Sequence, residues 1–128
     1  MKETVQLPDA EFDVMSVIWN NEVPISSVQV FNLSVKEKQW KPQTVLTLLT
    51  RLEKRGFLSS EKRGKERYYM PLVARDDYLK QETGLFVKRF HKNSLTGLMS
   101  ALFGGKKPEA AELDEIEAWL KGQGDSDV

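Results

Sequence analysis

Between Lys41 and Arg67 lie residues suited to hydrogen bonding and ion pairing rather than to covalent chemistry. Gln43, Thr44, Leu46, Thr47 and Arg51 are interleaved with Val45, Leu48, Leu49 and Leu52. The aliphatic set follows the i, i+3, i+4, i+7 spacing of a helix with one buried side. Stepping about 100° per residue from Val45 puts Gln43, Thr47, Thr50 and Lys54 opposite that side, Thr44 and Arg51 on one flank and Leu46 on the other. The outward face is small, polar and basic, as a helix entering a major groove requires. Gln pairs with adenine, Arg with guanine and Thr with either, and an exposed Leu meets a thymine methyl. The spacing therefore predicts base contacts from Gln43, Thr44, Leu46, Thr47 and Arg51. Lys41, Lys54, Arg55, Lys62, Arg63, Lys65 and Arg67 cluster around the same stretch, and clustered cations of this kind are expected at backbone phosphates.

Other chemistries are poorly supplied. The chain of 128 residues has no Cys and a single His, His91. Thiolate catalysis, disulfides and cysteine-based zinc sites are thereby excluded, and no Ser lies in a nucleophile-elbow pattern that His91 would serve. No enzyme activity, metal or cofactor is expected, and His91, beside Lys92, reads as a solvated side chain. Nothing at the N-terminus has an apolar signal core, and no apolar run approaches the roughly 18 residues of a membrane span. A cytoplasmic protein with no membrane partner is expected. The formal charge is zero, with 19 Lys+Arg against 19 Asp+Glu, but it is unevenly spread. Residues 36–67 carry ten basic and four acidic side chains, a net +6, and residues 108–128 carry one and seven, a net −6.

The elements that must position these residues can be read from periodicity. A first helix runs from about Asp9, a candidate N-cap, to Asn20, with Phe12, Val14, Met15, Ile18 and Trp19 apolar. A second begins after Pro24, capped by Ser26 or Ser27, and presents Val28, Phe31 and Val35. The third opens at Pro42 and stops at Gly56. Two β-prone runs, Phe57 to Lys62 and Arg67 to Leu72, flank Arg63-Gly64-Lys65-Glu66, a hairpin signal. Tyr68 and Tyr69 then point to opposite faces. Trp19 and Trp40 read as core residues, not as base-stacking platforms. Three helices and a hairpin in this order predict a mainly α fold with a small β-hairpin wing, a winged helix-turn-helix over residues 1–74.

Residues 75–128 read as a helical dimerisation domain. Leu79, Phe86 and Phe90 mark one helix, Leu95, Leu98, Met99, Leu102 and Phe103 a second ending at Gly104-Gly105, and Leu113, Ile116 and Leu120 a third. Helices this short are marginal alone, and so small a unit seldom builds its own core. Phe86, Phe90, Leu95, Leu98, Met99, Leu102, Phe103, Ile116 and Leu120 are expected to pack against a second copy, forming a homodimer with two-fold symmetry. The Leu95 to Phe103 stripe lacks the interfacial Trp and broad basic face of a membrane anchor.

Three stretches carry a resemblance to a known family: Ala-Glu-Phe-Asp-Val-Met-Ser-Val-Ile-Trp (10–19), Trp-Lys-Pro-Gln-Thr-Val-Leu-Thr-Leu-Leu-Thr-Arg-Leu-Glu-Lys-Arg-Gly-Phe-Leu (40–58) and Tyr-Tyr-Met-Pro-Leu-Val (68–73). Over residues 7 to 121 the chain resembles the BlaI/MecI/CopY, or penicillinase-repressor, family of bacterial transcription regulators. The resemblance implies a dimeric winged-helix repressor on a palindromic double-stranded DNA operator, with Gln43, Thr44, Thr47 and Arg51 reading the groove. In antibiotic-responsive members a sensor protease pathway cuts an Asn-Phe bond; the aligned stretch here reads Ala101-Leu102, so that bond is not present as such. Copper-responsive members use a cysteine-rich site, which a chain without Cys excludes. The alternative to a repressor is a winged-helix interaction module whose basic hairpin binds an acidic protein partner.

Overall fold

The computed structural model describes residues 6–126. Its elements are α1 (Asp9–Trp19), β1 (Ile25–Ser26), α2 (Ser27–Lys38), α3 (Pro42–Lys54), β2 (Leu58–Arg63), β3 (Glu66–Pro71), α4 (Arg75–His91), α5 (Leu95–Phe103) and α6 (Ala110–Ser126). They form two compact units, one reaching Gly84 and the other starting at Leu85.

In the first unit α1 to α3 pack on a three-stranded antiparallel sheet of order β1-β3-β2. Helix α1 buries Glu11, Val14, Met15 and Ile18. Pro8, not Asp9, holds its N-cap position, and the Pro8 carbonyl accepts the Phe12 N–H at 2.9 Å. Asp9 and Glu11 lie in the first turn, where the helix dipole favours acids.

Helix α2 starts and is capped where expected, but a short strand precedes it and its buried face differs. Ile25-Ser26 is a strand paired with Tyr69 and Tyr68 of β3, and the helix starts after it. Ser26 is the cap: its Oγ accepts the Gln29 N–H at 3.2 Å while Gln29 Oε1 accepts the Ser26 N–H at 2.9 Å, a reciprocal capping box. The phase this sets buries Val30 and Ser34 and leaves Val28 50% exposed, with Phe31 half-buried. Ser34 is tolerated inside because its hydroxyl donates to the Val30 carbonyl at 2.7 Å. The side chain of Val35 lies outside the described residues.

Helix α3 follows the expected pattern, with Val45, Leu48, Leu49 and Leu52 all buried. It ends in paired bonds from Phe57 N–H to the Leu52 carbonyl and from Gly56 N–H to the Glu53 carbonyl. This Schellman stop requires the left-handed backbone that Gly56 supplies at φ 85°. Phe57 is thereby carried into the core. The hairpin turns at Gly64-Lys65, between the pair Arg63 and Glu66, with Gly64 at φ 64°. Leu58 and Tyr69 face the core, while Tyr68 on the opposite face is half-buried. Trp19 and Trp40 pack against the core, and Trp19 Nε1–H donates to the Val73 carbonyl at 2.9 Å.

The expected boundary at residues 74/75 falls where α4 begins, whereas the first compact unit continues to Gly84. Tyr78 is the reason: its ring sits among Phe12, Trp19 and Phe57 at 5.9, 5.9 and 5.5 Å. Its hydroxyl accepts the Leu7 N–H at 2.9 Å, and burial raises its pKa despite that bond. The first turns of α4 therefore belong to this core.

In the second unit α5 is capped by Ser94, whose Oγ accepts the Gly97 N–H at 2.9 Å, and stopped by Gly104 at φ 55°. No described residue of this unit is buried. Phe90, Leu95, Leu102 and Trp119 are each more than half exposed.

Periodicity alone hides one interaction. Glu11, at a position of the α1 stripe otherwise filled by apolar residues, is 2% exposed and ion-paired with Arg55 at the end of α3. Arg55 Nε donates to Glu11 Oε1 and Nη2 to Oε2 at 3.4 Å. Removing the cation strands a buried carboxylate, whose cost is set by desolvation. Arg55→Met should lower unfolding free energy by about 2 to 3 kcal/mol in urea titrations, while Lys54→Met should change it by less than about 0.5 kcal/mol.

Candidate nucleic-acid interface

With four aliphatic residues of α3 fixed in the core, the helix can present only one surface outward. Gln43, Thr44, Leu46, Thr47, Thr50, Arg51 and Lys54 are all exposed. Gln43, Leu46, Thr47, Thr50, Arg51 and Lys54 line one shallow depression on that surface. Thr47 Oγ1 donates to the Gln43 carbonyl at 3.0 Å, and Thr50 Oγ1 to the Leu46 carbonyl at 2.9 Å. Their hydroxyl protons are thus spent within the helix, leaving acceptor lone pairs and methyl groups outward. Thr47 in this rotamer suits an exocyclic amino group or a thymine methyl better than an acceptor edge. Leu46 is 40% exposed, an aliphatic contact beside the polar row.

The cations divide by what already holds them. Lys41, Arg51, Lys54, Lys62 and Lys65 make no ion pair or side-chain hydrogen bond among the described residues. Arg55, expected at phosphate, is engaged by Glu11. Arg63 lies 3.4 Å from Glu61 and stacks over the Tyr68 ring at 5.4 Å from its centroid. Arg67 Nη1 donates to Ser60 Oγ at 2.9 Å.

Strand alternation sorts the wing into two faces. Register pairs Ser60 with Tyr69 and Lys62 with Arg67 on the face that carries buried Leu58 and Tyr69. Arg63, Glu61, Tyr68 and Met70 occupy the other. Lys62 and Arg67 thus stand on the helix side of the wing, the side shared with α3. Burial raises the Tyr69 pKa; nearby Glu53 raises it further and Arg67 opposes.

Glu53, Ser60 and Glu11 were not among the residues expected to matter. Glu11 could have been found, because a carboxylate at a stripe position demands a buried partner. Glu53 and Ser60 carry no such signal, being ordinary surface types whose meeting depends on how the hairpin folds back. Among the described residues no group of three or more His, Cys, Asp or Glu is placed to hold a metal, and no helix is long and apolar enough to cross a membrane.

This arrangement matches known proteins. Residues 7–122 match the family model of the penicillinase repressor. The penicillinase repressor of Bacillus licheniformis is 31% identical over 116 residues, 91% of this chain and 90% of that protein. The methicillin resistance regulatory protein MecI of Staphylococcus aureus is 30% identical over 115 residues, 90% of each chain. The solution structure of the DNA-binding domain of the repressor BlaI superposes with a TM-score of 0.54 at 38% identity, covering 61% of this chain and 94% of that one. The monomeric form of Bacillus licheniformis BlaI, solved in complex with the blaP half-operator, has a TM-score of 0.51 at 38% identity over the same shares. With a family model spanning nearly all of its helices and relatives of this identity along most of their length, the chain belongs to the penicillinase repressor family.

Proposed function

We propose that this chain is a sequence-specific DNA-binding transcriptional repressor that acts as a homodimer on a palindromic operator. The observation that carries it is the outward face of α3, polar, basic and without internal partners at Arg51 and Lys54, on a domain 38% identical to one solved with a half-operator. Gln43, Thr44, Leu46, Thr47 and Arg51 are proposed to meet base edges, and Lys41, Lys54, Lys62, Lys65 and Arg67 the phosphates. Arg63 joins them from the far face of the wing. Arg55 keeps a secondary part, since Glu11 already neutralises it. No catalytic step is assigned to any residue, and a cytoplasmic regulator fits the family.

The second unit supplies the reason for two copies. Phe86, Phe90, Leu95, Leu102 and Leu120 are exposed and Leu98, Met99, Phe103 and Ile116 half-buried, apolar side chains without a buried centre among the described residues. A second copy would cover these side chains and place two recognition helices on half-sites about one helical turn, or a multiple, apart.

Salt dependence tests the DNA reading. If each dimer neutralises about eight phosphates, log K should fall with log salt at a slope of roughly −7; a flat dependence on every duplex from the native upstream region would overturn it. Arg51→Ala should lose about 1 to 3 kcal/mol on the operator and much less on mixed-sequence DNA, whereas equal losses on both would make Arg51 a phosphate contact. Replacing Leu98 and Leu102 by Asp should yield a monomer in analytical ultracentrifugation with the first unit still folded by circular dichroism. A native chain already monomeric at micromolar concentration would refute the dimer.

A further inference from the structure

The wing is tied to α3 by a chain of three side chains. Ser60 Oγ on β2 donates to Glu53 Oε2 on α3 at 2.7 Å, and Arg67 Nη1 on β3 donates to the same Oγ at 2.9 Å. A hydroxyl that donates in one direction and accepts from the other fixes both neighbours at once. At about 100° per residue Glu53 falls on the flank of α3 that carries Leu46, so this flank is where the wing attaches. Arg67 is exposed and engaged at one nitrogen, which leaves most of the guanidinium fork available. Glu53 and Arg67 both act on the Tyr69 hydroxyl, Glu53 raising its pKa and Arg67 lowering it, as expected where the two charges converge at this corner.

An exposed acid beside a phosphate-binding surface ordinarily weakens DNA binding by repulsion. Glu53 is such an acid, yet its carboxylate is turned to the wing and given a hydroxyl donor. We propose that Glu53 and Ser60 are positioning residues for DNA binding: they hold the Arg67 guanidinium at a fixed offset from α3, so that Arg67 meets a backbone phosphate when α3 enters the groove. The proposal rests on the DNA-binding reading above. It adds that the wing and the recognition helix form one rigid reading head, set by a carboxylate that makes no contact with DNA.

The sign of one substitution separates this role from a bystander's. Full-length wild type, Glu53→Ala, Ser60→Ala and Ser60→Thr would be titrated onto a mixed-sequence duplex by fluorescence anisotropy across a salt series, with circular dichroism confirming the fold of each. Glu53→Ala removes a negative charge, so a bystander acid predicts tighter binding. Positioning predicts roughly three- to tenfold weaker binding from the loss of one fixed charge-assisted contact. The log K against log salt slope should also become shallower by about 0.9 per wing. Ser60→Ala, with no change of charge, should reproduce both losses, and Ser60→Thr, which keeps the hydroxyl, should return affinity and slope to wild type. Tighter binding by Glu53→Ala, or a wild-type slope in Ser60→Ala, overturns the proposal while leaving the DNA reading intact. Wild type failing to bind the duplex overturns both.

Discussion

The rotation of α3 about its own axis is the constraint on which the rest depends. Val45, Leu48, Leu49 and Leu52 are each no more than 5% exposed, so turning the helix by even one residue would bring a threonine or a cation into the core. That cost runs to several kcal/mol for an unpaired charge and fixes which residues can face out. Two contacts hold the helix's far end. The Schellman stop at Gly56 draws Phe57 inward, and the pair between Arg55 and Glu11 ties the C-terminal end of α3 to α1. The outward face of α3 is thus a consequence of what is buried behind it.

Where residue type and period agree, local structure could be read directly. Helix α3 has an amphipathic stripe, a proline at its first turn and a glycine at its end, three signals that do not depend on distant contacts. The hairpin was legible for the same reason, since Gly64 at φ 64° lies between two β-prone runs. The strand β1 was not, because two residues have no periodicity and Ile25-Ser26 becomes a strand only by pairing with Tyr69 and Tyr68. That missing strand also hid the phase of α2. Val30 and Ser34 do not look like a stripe until the hydroxyl of Ser34 is seen to be satisfied within its own helix. The candidate site divides in the same way: the face of α3 was legible from spacing, but which cations are already engaged is a tertiary property. Arg55 and Lys54 are neighbours in sequence with opposite fates.

The balanced charge of the chain takes on meaning once sorted this way. Acids within the first unit are used mostly as internal partners: Glu11 for Arg55, Asp13 for Lys38 at 3.1 Å, Glu61 for Arg63 and Glu53 for Ser60. Each orients a basic or polar group rather than diluting the field toward a ligand. Among the described residues of α3, its entry and the wing, Lys41, Arg51, Lys54, Lys62 and Lys65 make no ion pair. A net charge of zero is compatible with a one-signed surface on this unit, because the acids that balance it lie elsewhere in the chain, in residues 108–128 with their net −6.

The two units solve the problem of a small core differently. The first closes on itself by recruiting aromatic rings from distant parts of the chain, with Tyr78 from the start of α4 set among Phe12, Trp19 and Phe57. A helix that begins in one core and continues past Gly84 into a unit with none among its described residues has unequal ends. The first end is held by burial and a hydrogen bond to Leu7; the second carries exposed Phe86 and Phe90, whose rings meet each other at 5.1 Å, and no buried side chain among the described residues. Apolar surface of this kind is stable only when covered, so the free energy of ordering the second unit is tied to whatever covers it. If that cover is a second copy, folding of this half and pairing of two reading heads are one equilibrium, and occupancy of a two-fold site rises with protein concentration more steeply than a single head would allow.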